Sequence, residues 1–533
     1  MKTLLKFNIL FVLLMLCSCK KLLTESPNSF LTANNFPSNQ AEATTAMYGA
    51  YNVLQEVNLF SYNLVNYMST GDDLVHPQIS PPTAFPGFSM TFQLSASDAI
   101  WTTFWTYLWR GVNNCNSVIY ALNNLNTSAT ASWVVPDLAE MRALRAFYYF
   151  YLVRMYGDLP LRLNPTTETV LLAPRMPATQ IYSAILDDLT FADNKLPLIA
   201  SGGGRFTAGA VKGLMAQVYI TMAGWRRTSQ GVMVRGDSQN YLLARTKALE
   251  VINLGVYSLN PDYTQIFKNL STNTYDPEVI WDVQFEYPDK GSQFPYFFGA
   301  FSSGGAATSG GGNCQARVNS EFVNTLDFND SRVAWNVANY TYGSSNWTKS
   351  TFTATNSNSC GLTKWQKINP ALGQFFNNFS TNFPLIRFDD ILLIYAEADN
   401  EVNSGPGVKN ASLPVALFPN QTDYDVINAI RYRARPATNK LNKVVGLPVV
   451  LPDYVSGTLT HDTFLTAIMK ERAIELLTEN NRRFDLERWG VLVQFVQAAS
   501  SQVAATYVAP KHYLFPVPPA DALANGWAQN DGY

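Results

Sequence analysis

Glu471, Glu475 and Glu479 recur every fourth residue in a stretch that also holds Arg472, Arg482, Arg483 and Arg488. On a helix these carboxylates share a face, and uncompensated like charges at that spacing cost about 0.2–0.5 kcal/mol per pair. Leu465, Met469, Ala473 and Leu476 also fall at helical spacing, so a helix over Thr463–Glu479 is expected to bury one face. An acidic ladder beside an apolar stripe is stable only where cations pack against it. The four arginines are dense enough to neutralise it, which reads as a structural ion network between two packed helices. A glutamate pair acting as acid and base is the alternative.

Helical periodicity dominates both flanks of the 533-residue chain. It predicts helices over Ala41–Gln55, Ala99–Leu125, Asp137–Tyr156, Thr179–Asn194, Ala208–Ala223 and Asn240–Ile252, then Phe388–Val402 and Tyr424–Arg433. Gly157 is placed to end the third in a left-handed cap. Ala143 and Ala146 precede Phe147-Tyr148-Tyr149-Phe150-Tyr151, small residues that let helices approach while large ones fill the gaps. Paired helices of this kind suggest a tetratricopeptide-like scaffold, although no strict 34-residue period is visible. The expected class is mainly α. Helical parts at 40–257 and 385–533 flank a central insert at about 258–384.

The insert is rich in Gly, Ser, Asn, Thr and aromatics. Val279, Trp281, Val283 and Phe285 alternate, which predicts a half-buried strand. Beyond it a long irregular stretch carries Phe294, Tyr296, Phe297, Phe298 and Phe301. Such stretches are either functional or disordered, and the aromatics favour function.

Five blocks carry a resemblance to a known family. They are Pro136–Leu161, Arg205–Ile220, Arg387–Glu401, Ile427–Arg435 and the helix pair over 471–490, followed by Leu514-Phe515-Pro516-Val517-Pro518 and Gln529-Asn530-Asp531-Gly532-Tyr533. In this order they resemble the SusD/RagB family of nutrient-binding outer-membrane lipoproteins. The resemblance implies a helical-repeat scaffold, a carbohydrate or peptide ligand, no cofactor, and a SusC-like TonB-dependent transporter as partner. It also implies an outer-membrane location facing the cell exterior.

The amino terminus agrees. Lys2 and Lys6 precede an apolar run from Phe7 to Leu16, and about ten residues are too few to span a bilayer, which needs about 20. A lipoprotein signal needs a small residue before the modified cysteine. Ser18 before Cys19 satisfies that, whereas Leu16 before Cys17 does not. Cleavage after Ser18 and acylation at Cys19 are therefore expected, with a plain secretory signal as the alternative. Removing residues 1–18 leaves 515, read as one domain because no linker divides them.

Other chemistry is weakly represented. Cys115, Cys314 and Cys360 remain after the lipid site, too few for a disulfide scaffold. His76, His461 and His512 lie in no motif, and the glycine clusters at 202–204 and 310–312 read as loops rather than phosphate cradles. A net charge of −2 without a basic run argues against nucleic acid. The cysteine spacing matches no metal ribbon, and no EF-hand spacing occurs. Asp389-Asp390 heads a helix, a structural position.

Charged residues make up 15% and aromatics 13%, against about 25% charged in ordinary soluble domains. Such a surface suits extended contact with a carbohydrate or a protein. In the family resembled, ligands lie on loops near the amino-terminal segment and the insert. The matching regions are Ser69–Ala96, with Asp72, Asp73, Phe85 and Phe88, and Tyr287–Asn319, with Tyr296, Phe297, Phe298, Arg317 and Asn319. Trp347 and Trp365 are alternatives. The expected function is capture of oligosaccharides and their delivery to the transporter, with no bond broken. A peptide-import lipoprotein, a surface glycoside hydrolase and a helical-repeat interaction scaffold are the alternatives.

Overall fold

The computed structural model describes residues 37, 39–77, 90–125, 132–166, 172–199, 203–300, 312–342, 349–351, 361–366, 378–436, 451–499 and 503–533. The signal segment, Cys19, Phe85, Phe88, Phe301, Trp347 and Cys360 lie outside them. Before the insert the helices are α1 Gln40–Tyr51, α2 Asn63–Thr70, α3 Ala99–Asn123, α4 Val134–Tyr156, α5 Ala178–Ala192, α6 Ala208–Ala223 and α7 Gln239–Asn253. The insert holds α8 Tyr263–Ser271, α9 Phe294–Phe297, α10 Ser320–Val323 and α11 Ser331–Asn336. After it come α12 Phe388–Asn403, α13 Asp423–Ala434, α14 His461–Glu475, α15 Arg482–Arg488, α16 Leu492–Ala498, α17 Val503–Tyr507 and α18 Pro519–Asn525.

These helices pack in sequence order. α3 meets α4, α4 meets α5, α5 meets α6 and α6 meets α7. The next partner of α7 is α12, which in turn packs on α13 and α14. The scaffold thus closes over the point where the insert leaves it. Among the described residues no helix is long and apolar enough to cross a membrane.

Side-chain caps start several of the helices. Asn39 accepts from the Glu42 N–H, Thr207 from Ala210 and Thr422 from Asp425, while Thr460 and Thr463 form a reciprocal capping box. Helix α4 is buried almost all round, as a helix at the centre of a layered scaffold must be. Gly111 of α3 lies where a Cβ would come within 2.4 Å of the Tyr148 ring; only glycine allows α3 and α4 this approach. The buried tyrosines find backbone acceptors: the Tyr148 hydroxyl donates to Ala50 O and the Tyr156 hydroxyl to Trp101 O, both at 2.8 Å. Gly157 does end α4 at positive φ, but at φ 74°, ψ −120°, outside the left-handed helical cap expected.

Strand β4 (Val279–Val283) pairs antiparallel with β10 (Phe383–Arg387). Trp281, Val283 and Phe285 are buried as expected, but Ile280 and Asp282 are buried too. The strand is therefore covered on both faces rather than one. A four-stranded sheet in the order β1 (Val75–Pro77), β5 (Ala316–Val318), β9 (Gly361–Leu362), β6 (Val337–Ala338) ties the amino-terminal segment to the insert.

The acidic ladder is structural, with partners other than those expected. Arg472 pairs with Asp390 and Asp485, Arg482 with Asp73, Arg483 with Glu487, and Arg488 with Glu397 and Asp485. Glu471, Glu475 and Glu479 instead meet Arg332, Lys364, Arg387, Arg431 and Arg433, drawn from the insert, from the residue before α12 and from the last turn of α13. The buried stripe of α14 is also turned from the expected one. Phe464, Ala467, Ile468, Glu471 and Glu475 face inward, whereas Leu465 and Met469 are only half-buried.

Helix α14 ends at Glu475, not Glu479. The Glu475 carbonyl accepts from Lys364 Nζ at 2.8 Å, the Tyr263 hydroxyl at 3.1 Å and Arg387 Nη2 at 3.2 Å. Lys364 also reaches the Leu477 carbonyl at 3.1 Å. Buried cations thus satisfy carbonyls that the helix end leaves open.

Candidate functional site

The two regions singled out for ligand contact do come together. Strand β1 runs antiparallel to β5, with Val75 opposite Val318, His76 opposite Arg317 and Pro77 opposite Ala316. The Asn319 N–H donates to Leu74 O at 2.8 Å, and the N–H groups of Gln293 and Phe294 both donate to Ser61 O at 2.9 Å. Along this seam the Phe297 ring stacks on Tyr62, with centroids 3.9 Å apart and planes at 26°. Tyr296 meets Phe297 edge-on at 4.9 Å. The Tyr62 hydroxyl donates to Gln315 Oε1 at 2.7 Å and accepts from Asn66 Nδ2 at 3.1 Å. Burial raises the Tyr62 phenol above its usual range, with these hydrogen bonds opposing. Tyr62, Tyr296, Phe297 and Arg317 all remain partly exposed.

The other expected contacts serve the fold. Asp73 accepts two bonds from Arg482, at 2.7 and 2.6 Å, in a buried bidentate pair. Asp72 is buried; its Oδ1 accepts from the Leu74 N–H at 2.8 Å. Burial first, then the neighbouring Asp73 charge, raise its carboxyl to about 7. Asn319 donates to the Asp73 carbonyl at 2.7 Å, and Phe298 is fully buried. All four side chains are buried; Asn319 ties the insert to the amino-terminal segment, and Asp73 ties that segment to α15. Trp365 is likewise core: it packs on Phe267, Phe294 and Phe383, and its indole N–H donates to the Thr478 hydroxyl at 3.1 Å. Tyr62 was not foreseen. Nothing in the local pattern separates it from Phe60, two residues earlier and fully buried.

A second cluster is chemically conspicuous. Glu278, Asp389 and Glu475 bring carboxylate oxygens within 4.8 Å of one another. Arg387 lies 2.9 Å from Glu278 and 2.6 Å from Asp389, Arg433 lies 2.8 Å from Glu278 and 2.5 Å from Glu475, and Arg332 lies 3.1 Å from Glu475. The guanidinium groups take the places a metal ion would need. Counting Asp330, Glu471 and Glu479, six buried carboxylates face five cations (Arg332, Lys364, Arg387, Arg431 and Arg433). One proton balances them. Burial, reinforced by Glu278 and Glu475 against the opposing Arg387, raises Asp389 well above the carboxylate range. Burial also pushes Glu475 upward, but Arg433, the Asp389 hydrogen bond, Arg332 and Arg387 outweigh it and hold it low. These directions favour protonation at Asp389 over Glu475, and burial raises Glu278 as well, against Arg433 and Arg387. Every carboxylate of the cluster is buried, an arrangement suited to holding segments together rather than to acid–base work on a substrate.

The fold defines a helical scaffold with a partly exposed aromatic seam between its amino-terminal segment and a central insert. The chain belongs to the SusD family: the family profile of that description matches residues 277–533, and a second, described as starch-binding associating with outer membrane, matches residues 24–220. SusD-like protein P25 of Formosa agariphila is 23% identical across 98% of both chains. Among solved structures, a SusD homologue from Bacteroides thetaiotaomicron superposes with a TM-score of 0.80 at 25% identity, covering 94% of this chain and 98% of its own. A laminarin-binding SusD-like protein superposes with a TM-score of 0.70 at 21% identity, covering 93% of this chain and all of its own.

Proposed function

We propose that this protein is a lipid-anchored outer-membrane lipoprotein that captures oligosaccharides and delivers them to a SusC-like TonB-dependent transporter. The observation that carries the reading is the partly exposed aromatic step of Tyr62, Phe297 and Tyr296, with Arg317 also partly exposed on the strand that pairs with the amino-terminal segment. Aromatic faces stack on the apolar C–H faces of pyranose rings, while guanidinium and amide groups hydrogen-bond the hydroxyls. Family membership and the laminarin-binding neighbour support a carbohydrate ligand. The anchor is acylated Cys19, and residues 19–533 form one domain that faces the cell exterior. Capture breaks no bond and needs no cofactor.

Native electrophoresis of the chain without residues 1–19 through gels cast with laminarin, starch, xylan or mannan tests this reading, with a reducing-sugar assay on the same mixtures. Retardation by one polymer without sugar release is expected. Sugar release would make the protein a surface hydrolase. No retardation in any gel, with binding to a peptide library instead, would make it a peptide importer.

A further inference from the structure

Three tryptophans that serve no part of the aromatic seam gather where α3 meets the carboxyl-terminal segment. Trp105 and Trp109 project from successive turns of α3, and Trp527 comes from the carboxyl-terminal segment after α18. Trp105 meets Trp109 edge-on at 5.6 Å and Trp527 at 6.2 Å. They line a cavity of about 270 Å³ together with Asn113, Arg162 and Asp521. Asn525 and Trp527 also line a second cavity, of about 790 Å³.

The polar groups are arranged for a neutral, hydroxyl-rich partner. The Trp527 indole donates to Ala173 O at 2.9 Å. That bond fixes the Trp527 ring, and Trp109 and Trp527 stay partly exposed. The Trp109 Nε1 is buried without a hydrogen-bond partner, which is costly unless a ligand or water supplies an acceptor. One carboxylate, one guanidinium and three amides (Asn113, Asn116 and Asn525) accompany the rings. That set carries no surplus charge. A phosphate or an acidic peptide would find a carboxylate in its way, whereas a sugar would use both signs.

The geometry points to a second oligosaccharide-binding site on this protein, formed by Trp105, Trp109 and Trp527 with Asn113, Arg162 and Asp521. It shares no lining residue with the seam of Tyr62, Tyr296, Phe297 and Arg317. It rests on the glycan reading only for the choice of sugar as ligand class. Two separated sites would hold a polymer at two points and raise its avidity without any new contact at either.

The full chain labelled with 5-fluorotryptophan, titrated with maltohexaose, laminarihexaose, xylohexaose or mannohexaose and followed by fluorine NMR, tests this assignment. Trp109→Phe and Trp527→Phe assign the two resonances. Saturable movement of both with at least one hexasaccharide is expected, with affinity about tenfold weaker in Trp527→Leu. That movement should persist in a Tyr296→Ala/Phe297→Ala variant. Resonances that stay fixed with all four sugars, while gels retard the same folded protein, would overturn the second site and leave the proposed function standing. Movement that vanishes in the Tyr296→Ala/Phe297→Ala variant would also overturn it, because the tryptophans would then be reporting the seam. If neither gels nor resonances respond to any sugar, both readings fail together.

Discussion

Phe297 from the insert lies flat on Tyr62 from the amino-terminal segment, with ring centroids 3.9 Å apart. Both rings keep part of their surface exposed, so the stack contributes little to the core. An aromatic pair of this kind is worth about 0.5–1.5 kcal/mol beyond its area. Phe297→Ala is expected to lower stability by no more than about that amount. Trp365→Ala, which empties a fully buried site, should cost about 3–5 kcal/mol. Denaturant melts of the two variants check the contrast.

The buried ion cluster makes a sharper pair of expectations. Burial holds the Asp389 carboxyl well above the carboxylate range, so its neutral isostere in Asp389→Asn should change stability by less than about 1 kcal/mol. Glu475→Gln leaves Arg332, Arg387 and Arg433 short of charge and should cost about 3–5 kcal/mol. Equal losses in urea melts would contradict the placement of the proton.

Asp72 gives a pH dependence of defined sign. Its folded carboxyl titrates at about 7 against a usual 3.8, because of burial first and the Asp73 charge second. The folded state therefore holds this proton more tightly than the unfolded chain. Its contribution is fully present below pH 3.8 and is lost as pH rises through about 7. Asp72→Asn should be close to neutral at pH 4 and stabilising, by a few kcal/mol in order of magnitude, at pH 8. Guanidinium midpoints at the two pH values read the difference.

The anchor is tested in the cell. Cys19→Ala should abolish labelling by radioactive palmitate and move the protein out of the membrane fraction, whereas Cys17→Ala should do neither. The reverse pattern would assign the lipid to Cys17.

Helices were legible wherever a 3.6-residue apolar period ran unbroken; Ala208–Ala223 falls on its expected bounds. The end of α14 was not, because its cap comes from Lys364 and Arg387, about a hundred residues away in sequence. The same holds for the aromatic seam. Its two halves were placed by resemblance, yet Asp73, one of the candidate ligand contacts, is buried against Arg482, 409 residues further on. Which aromatic faces outward depends on such long-range pairings. Phe297 and Phe298 are adjacent and chemically alike, and only the first is exposed.

The central claim is that the Tyr62–Phe297–Tyr296 step holds a glycan, and one calorimetric comparison tests it most directly. The polysaccharide that retards the wild-type chain in native gels would be titrated into wild type and into the Tyr296→Ala/Phe297→Ala variant. The account predicts at least about tenfold weaker binding, some 1.4 kcal/mol, with an unchanged melting curve. Undiminished affinity in a folded variant would contradict it and send the search for the sugar to another surface.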